Sequence, residues 1–186
     1  MRIIDLEKSQ GDFQMRTGSF SIEERKIHGI IGGNGCGKTT LCKLIMGIVK
    51  PDSGRIDYEG LNVREITMTA QRPYFIQGSV YENICYPLKL RRIRPDEQKI
   101  DGWLARCGLE EKKYQYARSL SSGEQQKVSM IRALIFDPKF IMIDETLSNL
   151  DPENLELFEQ VILELQKERP VTWLLISHRL AHIYKM

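Results

Sequence analysis

One short segment constrains the fold of this chain more than any other. Residues 32 to 39 read Gly-Gly-Asn-Gly-Cys-Gly-Lys-Thr, a full match to the pattern GxxxxGK[ST]. This segment follows the apolar run Ile27 to Ile31 and opens a helix-like stretch from Lys38 to Ile48. A glycine-rich turn in that context turns backbone N–H groups toward an anion, and the helix N-terminus adds about half a positive charge. The sequence therefore predicts a phosphate-binding loop (P-loop).

The residue types in this loop are those that a nucleoside triphosphate requires. We expect Lys38 to bridge the terminal phosphates and the Thr39 hydroxyl to help hold Mg²⁺. The residues of the loop that we predict to contact nucleotide are Gly33, Asn34, Gly35, Cys36, Gly37, Lys38, Thr39 and Thr40. A P-loop alone does not separate kinases, GTPases, helicases and transport motors, so the class has to come from other motifs.

Short apolar runs alternate with helix-like segments in the second half of the chain. Phe140 to Ile143 and Val171 to Ile176 predict buried strands of a parallel sheet. Gly123 to Ile135 and Pro152 to Glu168 predict helices, and Asp151 is a good N-cap for the second of these. Strands that alternate with helices predict an α/β fold with a central parallel sheet.

Two regions depart from this alternation. Polar–apolar alternation in residues 13 to 22, and again from Ser53 to Tyr58, predicts an N-terminal antiparallel β-subdomain. Charged helical patterns over residues 75–122 predict a helical lobe inserted into the core. We expect residues 1–186 to form a single domain.

Composition limits the class of protein and its compartment. The 186 residues contain 41% hydrophobic and 28% charged residues, as expected of one globular domain, and the net charge of +2 argues against a dedicated nucleic-acid binder. The four cysteines form no CxxC pair, which favours reduced thiols in the cytoplasm. No signal peptide is recognisable at the N-terminus, and no apolar stretch approaches the ~18 residues that a membrane span needs.

Two predicted strands end in chemically active residues. The strand 140–143 is followed by Asp144 and Glu145, which places both carboxylates at the carboxyl edge of the sheet, where open α/β folds bind ligands. We expect Asp144 to hold the Mg²⁺ shell and Glu145 to accept a proton from an attacking water. The last strand is followed by His178, which could contact the γ-phosphate; a metal site shared with His182 is the alternative.

The segment Leu120 to Glu124 decides the family. It reads Leu-Ser-Ser-Gly-Glu before an apolar-striped helix, and alone it indicates only a helix cap. Together with the motifs above, it makes the whole chain resemble the ATP-binding cassette (ABC) ATPases, whose signature is LSGGQ. Ser122 and Glu124 depart from that signature.

The resemblance implies roles for further residues. Gln71 matches the family's Q-loop glutamine, which contacts the metal and the nucleotide. His178 matches its switch histidine, and residues 148–151 match its D-loop, with Asn149 where alanine is usual. Phe13 is the candidate for the aromatic residue that stacks on adenine.

The same resemblance implies a mechanism. Cassettes of this family pair head to tail, so each ATP would lie between the P-loop of one copy and the signature of the other. Ser121, Ser122, Gly123 and Glu124 would then act on the partner's ATP, as would Asp151. ATP would favour the closed dimer, and hydrolysis would release it.

The resemblance also implies partners. The chain is similar to importer-type ATP hydrolases that bind separate membrane-spanning subunits on the cytoplasmic face of the membrane. The segment from Gly11 to Ile22 is similar to cassettes for molybdate or tungstate uptake. The alternatives are an ABC ATPase of chromosome maintenance or translation, and a regulatory module that binds ATP without turnover. We further expect the C-terminal part of the usual fold to be absent.

Overall fold

The computed structural model describes residues 1–69, 73–144 and 150–177. The strands are β1 (Arg2–Gln10), β2 (Phe13–Arg16), β3 (Phe20–Ser21), β4 (Ile27–Ile31), β5 (Ser53–Asp57), β6 (Ile66–Thr69), β7 (Phe140–Asp144) and β8 (Thr172–Ser177). The helices are α1 (Lys38–Ile45), α2 (Val80–Arg91), α3 (Glu97–Arg106), α4 (Ser122–Leu134) and α5 (Pro152–Glu168).

A four-stranded parallel sheet forms the centre of the molecule, in the order β4–β8–β7–β6. All its pairs are parallel, and Ile31 lies beside Ser177 while Asp144 lies beside Ile176. The register therefore brings the ends of β4, β7 and β8 to one edge of the sheet. The α/β fold predicted from the sequence is confirmed, and this edge is where the predicted site residues begin.

A second, antiparallel sheet is built around β1, which pairs with β2, β3 and β5. The alternating segments 13–22 and 53–58 do contain strands of this sheet, but β1 itself was not predicted. An irregularity between Ile4 and Glu7 interrupts the pairing of β1 with β5. At that point Gly54 has φ +77°, and a Cβ there would lie 2.2 Å from the carbonyl oxygen of Asp5, so only glycine fits.

The two faces of the parallel sheet bury separate cores. One core packs α2 to α5 against Ile141, Ile143 and Trp173. The other packs α1 and the antiparallel sheet against Phe140 and Met142 on the opposite face. Because both faces are covered, β7 is buried at every position and carries no polar–apolar alternation.

Helix ends follow local chemistry. The helix α5 spans the predicted residues, with Asp151 as N-cap accepting from the Asn154 amide at 2.9 Å and Pro152 in the first turn. The helix α1 ends at Ile45, three residues before the predicted end, because Gly47 takes a left-handed φ of +68°. Among the described residues, no helix is both long and apolar enough to cross a membrane.

Candidate nucleotide-binding site

The predicted phosphate loop leaves β4 at Ile31 and enters α1 at Lys38, at the carboxyl edge of the parallel sheet. It borders an open groove of about 490 Å³. The groove is lined by Phe13, Asn34, Gly35, Gly37, Lys38, Thr39 and Thr40. The structure therefore brings Phe13 to the loop, although Phe13 belongs to β2 of the antiparallel sheet.

A second cavity, of about 450 Å³, lies at the opposite edge of the parallel sheet, where β7 and β8 begin. It is lined by apolar residues and by charged residues most of which form ion pairs, such as Lys139 with Glu65 at 2.7 Å. None of the predicted site residues lines it. The chemistry therefore places the candidate site at the P-loop edge.

Lys38 lies inside the loop. Its side chain is folded back so that Nζ donates hydrogen bonds to the carbonyl oxygens of Gly32 and Gly33, each at 2.8 Å. Nζ is also 3.9 Å from Cys36 Sγ, and the residue is only 8% exposed. The ammonium charge is thus held at the centre of the backbone turn that we expect to receive phosphate.

Thr39 connects the loop to the acidic strand end. Its hydroxyl donates to a carboxylate oxygen of Asp144 at 2.7 Å, although 105 positions separate the two residues in the chain. Asp144 is 6% exposed and is the last residue of β7. Burial, with the nearby Asp144 charge as a smaller cause, raises the pKa of the Cys42 thiol behind this pair. The Thr39 hydroxyl and the Asp144 carboxylate, both predicted to help hold Mg²⁺, therefore lie next to each other.

Gly37 is pressed against the antiparallel sheet. It takes φ +101° at the N-cap of α1. A Cβ on this residue would lie 2.7 Å from Met15 Cγ and 3.2 Å from Phe13 Cζ. Two side chains of β2, Phe13 and Met15, thus pack against the loop at Gly37. The role of Met15 was not predicted, because in the sequence it resembles any methionine of a hydrophobic core.

The signature segment forms the start of α4. Ser121 is the N-cap, with its hydroxyl oxygen accepting from the Glu124 amide, and Glu124 returns the contact by accepting from the Ser121 amide at 2.9 Å. Lys112 forms an ion pair with the same carboxylate. This hydrogen bond from Lys112, followed by that from the Ser121 backbone, lowers the pKa of Glu124 to about 2. Sequence reasoning identified the cap but not its lysine.

The signature segment also meets the end of the predicted D-loop. A Cβ on Gly123 would lie 2.7 Å from Asn154 Nδ2 and 3.4 Å from Asp151 Oδ2. Asn154 in turn donates to Asp151 from its backbone and its side chain, which lowers the pKa of Asp151. Of the predicted residues, Gly123 and Asp151 are therefore brought together at the N-termini of two helices.

Three predicted residues lie outside the described part of the chain: Gln71, Glu145 and His178. The D-loop residues 148 and 149, and His182, lie outside it as well. Glu145 follows Asp144 directly in sequence, and His178 follows Ser177, so both come directly after strands that end at the site edge.

These features define the class of protein. The edge of a parallel α/β sheet carries a P-loop, whose lysine lies inside the loop and whose threonine is hydrogen-bonded to an acidic strand end. This is the arrangement of a P-loop nucleoside triphosphatase. Comparison with known proteins then identifies the family. The ABC transporter family matches residues 15–148, and the chain belongs to it. The resemblance predicted from the motifs is confirmed.

Named relatives agree with this assignment. The tungstate uptake system ATP-binding protein of Peptoclostridium acidaminophilum is 38% identical over 95% of this chain and 86% of its own length. A methionine import ATP-binding protein of Listeria monocytogenes is 34% identical over 90% of this chain, but the chain spans only 54% of that protein. Among solved structures, cbiO1 of the Clostridium perfringens transporter complex cbiONQ matches with a TM-score of 0.77 and 27% identity, over 96% of this chain and 78% of that one. Relatives of this kind favour the transport interpretation over the chromosome, translation and regulatory alternatives.

Proposed function

We propose that this chain binds and hydrolyses ATP to drive uptake of a solute through separate membrane-spanning subunits, from the cytoplasmic face of the membrane. The observation that carries the proposal is the 2.7 Å hydrogen bond between Thr39 and Asp144. It joins the phosphate loop to the acidic strand end in the arrangement that metal-assisted phosphoryl transfer requires. Family membership and the names of the relatives support the coupling to transport.

The residues present fit Mg²⁺. The Thr39 hydroxyl and the Asp144 carboxylate are hard oxygen ligands, which Mg²⁺ prefers, and they already lie within hydrogen-bond distance of each other. Gln71 would add an amide oxygen by family analogy. When bound, the metal would neutralise charge on the β- and γ-phosphates.

Each further residue has a proposed role in the reaction. Lys38 would turn its ammonium from the carbonyls of Gly32 and Gly33 to the terminal phosphates. Glu145 would orient the attacking water and accept its proton, and His178 would hold that water and the γ-phosphate in register. The ring of Phe13, which lines the loop groove, would stack on adenine.

A second copy of the chain would complete the site. The signature residues do not line the groove beside their own P-loop. Ser121 and Ser122 are exposed, and the helix N-terminus that they begin is oriented to receive an anion. We therefore propose that Ser121, Ser122 and Gly123, with Asp151 beside them, contact the ATP held by a partner copy.

The test of this function is gel filtration of Glu145→Gln with and without ATP and Mg²⁺. Because this variant would bind ATP without hydrolysing it, we expect an ATP-dependent dimer and a loss of hydrolysis of about 10²–10⁴-fold. Glu156→Gln, at an exposed position on α5, is the matched control and should hydrolyse ATP normally. Normal hydrolysis by Glu145→Gln, or a monomer under every condition, would contradict the proposal.

The membrane subunit has a candidate docking site. A groove of about 260 Å³ runs between the segment after β6, α2 and α4, with apolar walls that include Tyr74, Pro87 and Phe136. Tyr74 is 76% exposed, which is unusual for a large aromatic side chain. We propose that a segment of the membrane subunit inserts here, next to Gln71 in the sequence.

For the cargo, we propose a tungstate- or molybdate-like oxyanion. The tungstate relative is both more similar than the methionine relative and closer in length to this chain. Reconstitution with a membrane subunit and binding protein for tungstate should give ATP hydrolysis that rises with tungstate. Stimulation by methionine instead of tungstate in the corresponding assemblies would assign the other cargo.

A further inference from the structure

A single lysine lies against the charged side chain of the signature segment. Lys112 ends the short 3₁₀ helix Glu110–Lys112, and its ammonium pairs with Glu124, the third residue of α4. We propose that Lys112 is a positioning residue for ATP-driven pairing: it cancels the Glu124 charge, so that the start of α4 can receive the triphosphate of a second copy. This inference rests on the proposed function.

The two oxygens of Glu124 have separate partners. Oε2 accepts from the Ser121 amide at 2.9 Å, which closes the cap, and Oε1 faces Lys112 Nζ. The two side chains are only partly exposed, 24% for Glu124 and 37% for Lys112. The contact therefore fixes the ammonium beside the N-terminal turn of α4 instead of leaving it in bulk solvent.

The capping arrangement leaves two backbone N–H groups at the start of α4 without a partner among the described residues. The Ser121 and Glu124 amides are used within the cap. No described residue accepts a hydrogen bond from the amides of Ser122 or Gly123, which lie at the same helix end. Those two N–H groups are the ones that an anion can use.

A carboxylate one position further along α4 opposes the same anion. An unpaired Glu124 would put a negative charge against the triphosphate and would offset the half positive charge of the helix N-terminus. Paired with Lys112, the glutamate keeps its capping geometry while its charge is balanced. The chain can thus carry glutamate where the family signature has glutamine.

The experiment is a double-mutant cycle between Lys112→Met and Glu124→Gln in the Glu145→Gln protein. The readout is the ATP concentration at which half of the protein is dimeric, from light scattering in the presence of Mg²⁺. Lys112→Met should raise this concentration about tenfold when Glu124 is present, and less than twofold when Glu124 is replaced by Gln. Binding of ATP to the monomeric P-loop should not change with Lys112→Met.

Lys99→Met is the matched control, because Lys99 pairs with Asp137 at 2.6 Å and has a similar partial exposure, but lies on α3. It should leave the dimerisation curve unchanged. If Lys112 acted only by holding the 3₁₀ helix against α4 through this ion pair, Glu124→Gln alone would weaken pairing as much as Lys112→Met does, and the proposal would be wrong. A Glu145→Gln protein that never dimerises with ATP would contradict the proposed function as well, whereas an ATP-dependent dimer that Lys112→Met leaves intact would contradict the role of Lys112 alone.

Discussion

Replacing Gly37 with alanine should disrupt the loop in a way that separates two physical causes. Gly37 combines a left-handed backbone, φ +101°, with close packing against Met15 and Phe13. Gly35, in the same loop, has φ +78°, and a Cβ there would meet nothing within 4 Å. The two glycines thus share the backbone requirement but differ in packing, and Gly35→Ala is the matched control for Gly37→Ala.

The magnitudes follow from these contacts. A left-handed conformation costs a non-glycine residue about 1–2 kcal/mol, which applies to both variants. At Gly37 the added methyl group would also lie 2.7 Å from Met15 Cγ, and forcing an extra carbon into packed surroundings costs about 1–3 kcal/mol more. We therefore expect Gly37→Ala to lower the free energy of unfolding by about 2–5 kcal/mol and Gly35→Ala by about 1–2 kcal/mol.

Urea unfolding followed by circular dichroism measures both values, and equilibrium ATP binding to the folded proteins measures the effect on the site. Met15→Ala removes Cγ and Sδ, the two atoms nearest to the new methyl group. The combination of Gly37→Ala with Met15→Ala should therefore cost about 1–3 kcal/mol less than the sum of the single changes. Equal losses for the two glycines, or additive costs in the combined variant, would refute the packing argument.

Three further outcomes can be measured. Iodoacetamide should modify Cys36 first, because it is the one exposed cysteine of the four, and this modification should block ATP hydrolysis. Equal labelling of Cys36 with and without ATP, measured by mass spectrometry, would contradict its placement beside the bound phosphates. Tyr74→Ala should weaken copurification with the membrane subunits while Tyr114→Ala, which is 75% exposed outside the groove, should not; equal effects would exclude the groove. Because hydrogen bonding from Lys112 lowers the pKa of Glu124 from 4.5 to about 2, its contribution to stability is complete above pH 4.5 and is lost as the pH falls toward 2. Glu124→Gln should therefore flatten the pH dependence of stability in that window, and an unchanged acid-unfolding profile would contradict the pairing.

The sequence was most informative where local chemistry decides the structure. The ends of α5 could be predicted because Asp151 and Pro152 favour a helix start through backbone hydrogen bonding and a fixed φ angle. The strands β7 and β8 were recognisable as nearly unbroken apolar runs, since strands that are covered on both faces of a parallel sheet need no alternation. The parallel core and the P-loop that leaves it follow from such signals.

The strand β1 shows where local signals fail. Its nine residues include six charged or polar side chains, and the irregularity near Ile4 and Glu7 breaks any simple alternation. What stabilises β1 as a strand is its pairing with β2, β3 and β5, and the positions of those partners cannot be read from its own residues. The central strand of the antiparallel sheet was for this reason the least visible.

Within the site, the residue types could be predicted from the sequence, but which of them lie close together is decided by the fold. Thr39 and Asp144 could each be assigned to Mg²⁺ from their motifs, but only the alignment of β4, β8 and β7 brings them to 2.7 Å. Lys112 is the opposite case. It stands among several charged residues of the helical region, and nothing in the sequence distinguishes the lysine that reaches Glu124 from its neighbours.

Two arginines that sequence reasoning also missed connect the proposed docking groove to the signature segment. Arg118, three residues before Ser121, donates to the Phe75 carbonyl oxygen from Nε at 3.2 Å and from a terminal nitrogen at 2.8 Å. Arg132, on α4, donates to the Tyr74 carbonyl oxygen and lies over the Phe75 ring at 5.5 Å. Hydrogen bonds from a guanidinium are among the stronger ones, and burial lowers the pKa of Arg132. The segment that carries Tyr74 and Phe75 is therefore bonded to residues on both sides of the signature segment, and we expect docking of a membrane subunit in the proposed groove to be linked to the position of Ser121 through these contacts.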